Sequence, residues 1–462
     1  MKYLSVLLLS AVSLAVQAGS DITPENVKAF FDTAFLVERQ DHKVAGAIVS
    51  VVKDDQVVFK AGYGFADIEN RVPADPDHSL FRIASISKPF IWTALLQLQE
   101  QGRLSIDDDV NQYLSTFQIP ETYAEPVRIR HLLTHSAGFE DQVVGMNAVD
   151  AASAQSAESY LRTRIPQRVN EPGVFVAYSN WGTTLAGRII EEVTGQNWDD
   201  YVDEHILIPL GMTSTNTHSP LPERFVDRHA KGYTSGNGKF IERPYAMIND
   251  APAGIISTTA DDMTRFMIAH LGDGRGVLAP ATTSLMREPL FEVNEHLPAI
   301  AYGFYQTIRN GETAYGHGGD INQFHGVLMM FPAHKLGVFL SFNSEPGSAV
   351  RNNVIDGFVD RFFPAEYLRE PSSTIELPLD DYAGEYLSLR RNHSTIEKLA
   401  TLLSSETIQV DGSELVVANR SRWQAMGEDL FTGSDFDGNM FFTRDHGGQI
   451  SHVSIGSPFG TL

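Results

Sequence analysis

The chain contains no cysteine, which removes disulfides, thiol nucleophiles and cysteine-bound metals together. Its stability must rest on its core, and 42 % hydrophobic residues over 462 positions are ample for that. Basic charge is scarce: 35 Lys and Arg face 58 Asp and Glu, a formal net charge of −23. That balance argues against nucleic acid or an anionic membrane as partner. The acid clusters Asp107-Asp108-Asp109 and Glu191-Glu192 are expected as solvated faces. Internal repeats and low-complexity tracts are missing too.

Long apolar runs are also absent after the first residues. Lys2, the stretch Leu4 to Val16 and the small-residue site Val16-Gln17-Ala18 form the pattern of a secretory signal peptide over residues 1–18. No later run approaches the ~20 apolar residues of a spanning helix. The expectation is an exported protein, periplasmic or secreted, with neither a transmembrane segment nor a lipidated cysteine.

Two hydrolase signatures are missing. There is no G-x-S-x-G elbow, which disfavours an α/β-hydrolase. His131 and His135 are four apart on a short helical segment, a spacing that zinc sites use. The Glu of H-E-x-x-H is lacking and no third ligand is evident. They are expected as structural histidines, with no metal and no cofactor.

What is present begins with Ser85-Ile86-Ser87-Lys88, which opens a predicted amphipathic helix from Pro89 to Gln101. Residues three apart on a helix share a face, so Lys88 can meet Ser85 and take its proton. Helix N-terminal N–H groups can stabilise an oxyanion. Ser50-Val51-Val52-Lys53 has the same spacing but lies in a predicted hairpin turning at Asp54-Asp55. In a strand those two side chains point to opposite faces, so this pair is discarded.

Tyr178-Ser179-Asn180 precedes a second predicted helix, Trp181 to Thr194, closed by Gly195. A phenol beside a lysine ammonium is expected to have a lowered pKa and to act as a base. Asn180 is placed to orient Lys88 or hold a substrate carbonyl. A core aromatic bonded at its tip is the plainer reading of Tyr178 alone.

His317-Gly318-Gly319-Asp320 is expected at the end of a strand, Thr313 to Gly316, paired through an Asn310-Gly311 turn to 302–308. The glycines let a substrate lie along the sheet edge, with the N–H of Asp320 as a second oxyanion donor. His446-Gly447-Gly448 repeats the motif in what looks like an ordinary hairpin loop.

Together, Ser-x-x-Lys, Tyr-x-Asn and His-Gly-Gly in that order resemble the class C β-lactamase and D,D-peptidase superfamily of CubicO-like serine hydrolases. Phe81-Arg82-Ile83-Ala84, the stretch Ile129 to Gly138 and Gly187-Arg188-Ile189-Ile190-Glu191 resemble it too, as do the strands Phe324–Phe331 and 336–343. The resemblance implies a mixed α/β (α+β) fold, a sheet flanked by helices with an all-helical lobe, over residues 19–362. It implies Ser85 as acyl nucleophile, Lys88 and Tyr178 as the base pair, and Asn180, His317, Gly318, Gly319 and Asp320 as substrate-side or oxyanion groups. Family β-lactamases carry lysine where this chain has His317. Histidine is mostly neutral near pH 7, so weaker selection for a substrate carboxylate is expected.

A Pro/Ser-rich stretch, residues 363–376, reads as a linker. Beyond it, 377–462 holds short runs of strand character separated by turn residues, a small barrel or sandwich. It resembles the lipocalin-like domain of some relatives, with Tyr382-Ala383-Gly384-Glu385-Tyr386 as the cue. Its role is either packing or delivery of a loop to the active-site mouth.

The expected partner is a small-molecule or peptide substrate. D-amino-acid peptide or amide bonds come first, small esters second and β-lactams third. A penicillin-binding sensor is the non-enzymatic alternative.

Overall fold

The computed structural model describes residues 20–461 apart from 42–43, 149–152, 237–238, 366–376, 404, 419, 435–437 and 458–459. The expected signal peptide and most of the expected linker lie outside the described residues.

The main sheet has seven antiparallel strands: β1 (Gly46–Lys53), β2 (Gln56–Asp67), β3 (Val72–Pro73), β4 (Tyr305–Arg309), β5 (Glu312–Ile321), β6 (Phe324–Phe331) and β7 (Leu336–Phe342). Their order is β4-β5-β6-β7-β1-β2-β3. The early and late strands are joined by β1 pairing with β7, Ala47 opposite Phe342 and Lys53 opposite Leu336. Both faces of β1 are covered, which explains its nearly unbroken apolar run. Ala47, Val49 and Val51 pack with helices α1 (Pro24–Asp41) and α5 (Gly347–Phe362). Ile48 and Val52 face the opposite core. Ser50 is buried within the sheet, while Lys53 pairs with Asp54 at 2.6 Å. As expected of a strand, they do not meet.

The opposite core is built on α2 (Lys88–Glu100), α3 (Asn180–Thr194) and α4 (Ala260–Leu271). The predicted amphipathic character of α2 is a correction: residues 88–98 are buried on every side, as in a central helix. Two of its interior polar side chains find backbone acceptors, while Trp92 Nε1 and Gln97 Oε1 have no partner among the described residues. Thr93 Oγ1 donates to Pro89 O at 2.8 Å and Gln97 Nε2 to Val277 O at 2.8 Å. α3 starts at Asn180 because the Ser179 hydroxyl caps it, accepting from Gly182 N at 3.0 Å. It stops at Gly195, whose φ of 75° is left-handed.

The acid clusters are fastenings rather than solvated faces. Asp109 accepts from Asn111 N, and Asp108 accepts from the Tyr113 hydroxyl. Glu191 and Glu192 both pair with Arg188, at 3.1 and 2.6 Å.

The C-terminal domain is an eight-stranded antiparallel sheet in simple sequential order: β8 (Gly384–Leu387), β9 (Ser405–Asp411), β10 (Glu414–Val417), β11 (Ser421–Gly427), β12 (Leu430–Gly433), β13 (Asn439–Arg444), β14 (Ile450–Ser457) and β15 (Gly460–Thr461). Tyr382, Leu415, Trp423, Phe431, Met440 and Phe442 fill its interior. The loop after β8 crosses to the domain built on the main sheet. There Glu140 accepts from the N–H groups of His393 and Ser394 at 2.7 and 2.9 Å, and Arg390 Nε donates to Asp141 at 2.8 Å.

Candidate active site

Ser85 sits in a 3₁₀ turn, Ala84–Ser87, immediately before α2 rather than in the helix itself. At three residues per turn, positions i and i+3 eclipse, so Lys88 is carried directly beneath Ser85. Lys88 Nζ lies 3.0 Å from Ser85 Oγ. It also lies 2.8 Å from Asn180 Oδ1 and 2.8 Å from Ala253 O. On the other side, the Tyr178 hydroxyl donates to Ser85 Oγ at 2.8 Å. The structure therefore gathers Ser85, Lys88, Tyr178 and Asn180 into one hydrogen-bonded cluster.

Lys88 is completely buried. Burial holds its pKa well below the ordinary lysine value, against a partial opposing pull from Asp250. Asp250 is buried as well, and its carboxyl is pushed up by desolvation. A neutral amine has two hydrogens, and two carbonyl oxygens are placed to accept them. Its lone pair is then left for the hydroxyl proton of Ser85.

The expected lowered phenol pKa is not what the geometry yields. Burial pushes Tyr178 up, because desolvation penalises a phenolate more than the nearby cations favour it. Tyr178 is consequently a held O–H donor, and the basic member of the cluster is Lys88.

His317-Gly318-Gly319-Asp320 lies inside β5, not after its end, since β5 runs to Ile321. The strand stays paired to β6, with Gly319 opposite Gly326. A Cβ on Gly319 would come within 2.1 Å of Ile83 O, so only glycine lets the strand pass so close to the turn that carries Ser85. His317 is buried and stacks on Tyr305, ring centres 4.8 Å apart. Burial and then the Lys88 charge push its pKa down to about 3. Its Nδ1 lies 2.5 Å from Gly318 O. As a neutral ring that nitrogen carries the proton, leaving Nε2 as an acceptor with no partner among the described residues. The Asp320 side chain is engaged elsewhere, by His325 at 2.7 Å and Arg351 at 2.8 Å.

Several residues around the cluster escaped sequence reasoning. His135 does not share a helix with His131: that helix ends at Leu133 and His135 has a φ of 53°. His135 instead accepts from Ser179 N at 3.2 Å and stacks on Tyr178 at 4.3 Å. Asp250 and Ala253 come from a short Pro/Gly-punctuated helix, Ala251–Gly254, and the residue before it. Arg390 arrives from the C-terminal domain, its guanidinium 4.7 Å from the Tyr178 ring centre.

The beta-lactamase family profile matches residues 31–357, a span that holds the whole cluster except Arg390. The chain belongs to the β-lactamase family. It is 26% identical over 312 residues to "Protein flp" of Staphylococcus aureus (strain N315), covering 66% of this chain and 61% of that protein. The chain thus spans about three-fifths of that relative's length. In three dimensions it is similar to the D-amino acid amidase from Ochrobactrum anthropi SV3, with a TM-score of 0.59 and 26% identity. That match covers 71% of this chain and 97% of the amidase. The octameric penicillin-binding protein homologue from Pyrococcus abyssi shares the fold over 94% of this chain and 98% of its own, with a TM-score of 0.64 and 22% identity. The larger coverage extends the likeness into the C-terminal sheet of this β-lactamase-family chain.

Proposed function

We propose that the protein is an exported serine hydrolase working through an acyl-enzyme on Ser85, with D-amino-acid amide or peptide bonds as its preferred substrates. The observation that carries this reading is the placement of Ser85 Oγ between the Lys88 amine and the Tyr178 hydroxyl. Lys88 takes the proton of Ser85 as the oxygen attacks the substrate carbonyl. The N–H groups of Ser85 and Asp320 hold the oxyanion. Tyr178 protonates the leaving amine and is restored by the proton on Lys88. A water activated by the same amine then releases the acid and frees Ser85.

Neutral His317 offers Nε2 as an acceptor for a substrate N–H. Arg390 provides the fixed cation that His317 does not, for a substrate that carries a carboxylate. The similarity to a D-amino acid amidase supports amides over β-lactams. Small-ester hydrolysis is the second reading, weak β-lactamase activity the third, and a penicillin-binding sensor the non-enzymatic one.

The test is turnover of D-alaninamide, L-alaninamide, p-nitrophenyl acetate and a chromogenic cephalosporin by the purified chain and by Ser85→Ala. D-amide turnover lost in Ser85→Ala supports the proposal. Ester turnover alone moves the substrate to the second reading, and cephalosporin turnover alone to the third. Stable acylation by a fluorescent penicillin without turnover of anything favours the sensor. Turnover that survives Ser85→Ala sinks the mechanism.

A further inference from the structure

Arg82 precedes Ser85 by three residues and is only 2 % exposed. Its Nη1 donates to Ala246 O at 2.7 Å. Its Nε and Nη2 are buried and have no partner among the described residues. Those two N–H groups form the edge of the guanidinium that pairs side-on with a carboxylate. A buried cation with that edge unpaired is unfavourable, and the Asp250 charge offsets this only in part, without a hydrogen bond to either group. Glu242, on the same wall, is held by Lys231 at 3.0 Å.

Arg82 borders a cavity of about 380 Å³, within the size range of small-molecule sites. The apolar Leu221, Val226, Met247 and Phe324 also line it. Tyr245 lies over the guanidinium, 4.5 Å from ring centre to Cζ, and is itself 39 % exposed. It forms part of the wall that encloses the guanidinium.

We propose that this cavity binds a small monocarboxylate with an apolar chain, its carboxylate paired to Nε and Nη2 of Arg82 and its chain laid against Val226 and Phe324. The ligand makes no contact with the Ser85 hydroxyl, so the site is independent of the reaction proposed there. Shape and charge divide the work: the apolar wall selects the chain, and the unpaired edge selects the anion.

The experiment is calorimetric titration of the full chain with hexanoate, and with hexanamide as its uncharged counterpart. Saturable hexanoate binding is expected, with hexanamide at least about tenfold weaker, the scale of a lost charge-assisted pair. Arg82→Met should weaken hexanoate to the same degree. Should Arg82→Met fail to fold, Val226→Trp carries the test, because Val226 is 54 % exposed and its replacement fills the cavity while leaving Arg82 intact. Ser85→Ala should bind hexanoate unchanged. The proposal is overturned by no saturable binding to the wild-type chain, by equal binding of hexanamide, or by full affinity in Val226→Trp. Loss of binding in Ser85→Ala would overturn it too, by placing hexanoate in the catalytic cluster.

Discussion

The guanidinium of Arg390 lies 4.7 Å from the ring centre of Tyr178, so a residue of the C-terminal domain touches the aromatic that hydrogen-bonds Ser85. Its position is set by Asp141, which accepts from Arg390 Nε at 2.8 Å and is itself mostly buried. Two domains therefore meet at one side of the nucleophile. Arg390→Ala is expected to raise KM at least about tenfold for substrates with a free carboxylate and to leave neutral substrates nearly unchanged. An equal effect on both, measured as kcat/KM, would make Arg390 a purely packing residue.

Ser85→Ala should lower turnover by at least about 10³-fold, as removal of an attacking oxygen does. Ser50→Ala, at the other Ser-x-x-Lys, should leave kcat/KM within about twofold, since Ser50 is enclosed in the sheet and the lysine three positions on pairs with Asp54 instead. Steady-state kinetics on both variants checks the pair, and a large loss in a well-folded Ser50→Ala would contradict the assignment.

The depressed pKa of Lys88 makes the neutral amine the working form. Activity should therefore rise with pH through an acid limb well below the ordinary lysine range. Asn180→Asp replaces the amide oxygen 2.8 Å from Nζ with an anion. An anion there favours the ammonium, so the acid limb should move to higher pH by about one unit or more. A kcat/KM profile that keeps its position would deny Lys88 the role of base.

His317→Lys puts an ammonium where a ring now lies 4.8 Å from that of Tyr305 and 6.2 Å from that of Tyr178. The kcat/KM ratio of carboxylate-bearing to neutral substrates should increase about tenfold. An unchanged ratio would remove His317 from substrate contact.

Buried neutral histidines should make the fold acid-sensitive. Burial pushes His270 down to about 4 and His317 to about 3, against 6.5 in the unfolded chain. Between about pH 4 and 6.5 the unfolded state binds protons that the folded state does not, so stability rises with pH. Each such group contributes up to about 1.4 kcal/mol per pH unit across its window. Tm measured from pH 7 to pH 4 should fall, and should fall less in His270→Gln. A flat Tm over that interval would rule the linkage out.

Motifs whose partners lie within a few residues were legible in the sequence. Ser85 and Lys88 meet because a single helical turn joins them, and Asn180 is fixed by the Ser179 cap next to it. The Asn310-Gly311 turn likewise announces the hairpin of β4 and β5. The glycines point to a strand end at Gly316, because glycines ordinarily mark where a strand stops. Here the strand continues through Gly318 and Gly319, as tight passage against Ile83 demands. The sign of the Tyr178 shift was also out of reach, since it depends on burial, which no neighbouring residue reveals.

By itself the sequence determined the local chemistry: the nucleophile turn, the capped helix behind Asn180, the Asn310-Gly311 hairpin and the absence of any thiol. Tertiary structure alone decided what surrounds them. It brought Ala253 O to Lys88 and Tyr178 to Ser85, set His135 against Tyr178, and carried Arg390 in from a separate sheet. The physical reason is range. Turn and cap geometry is set by bonds between neighbours, whereas desolvation and pairing between residues far apart in the sequence exist only once the chain has closed around them.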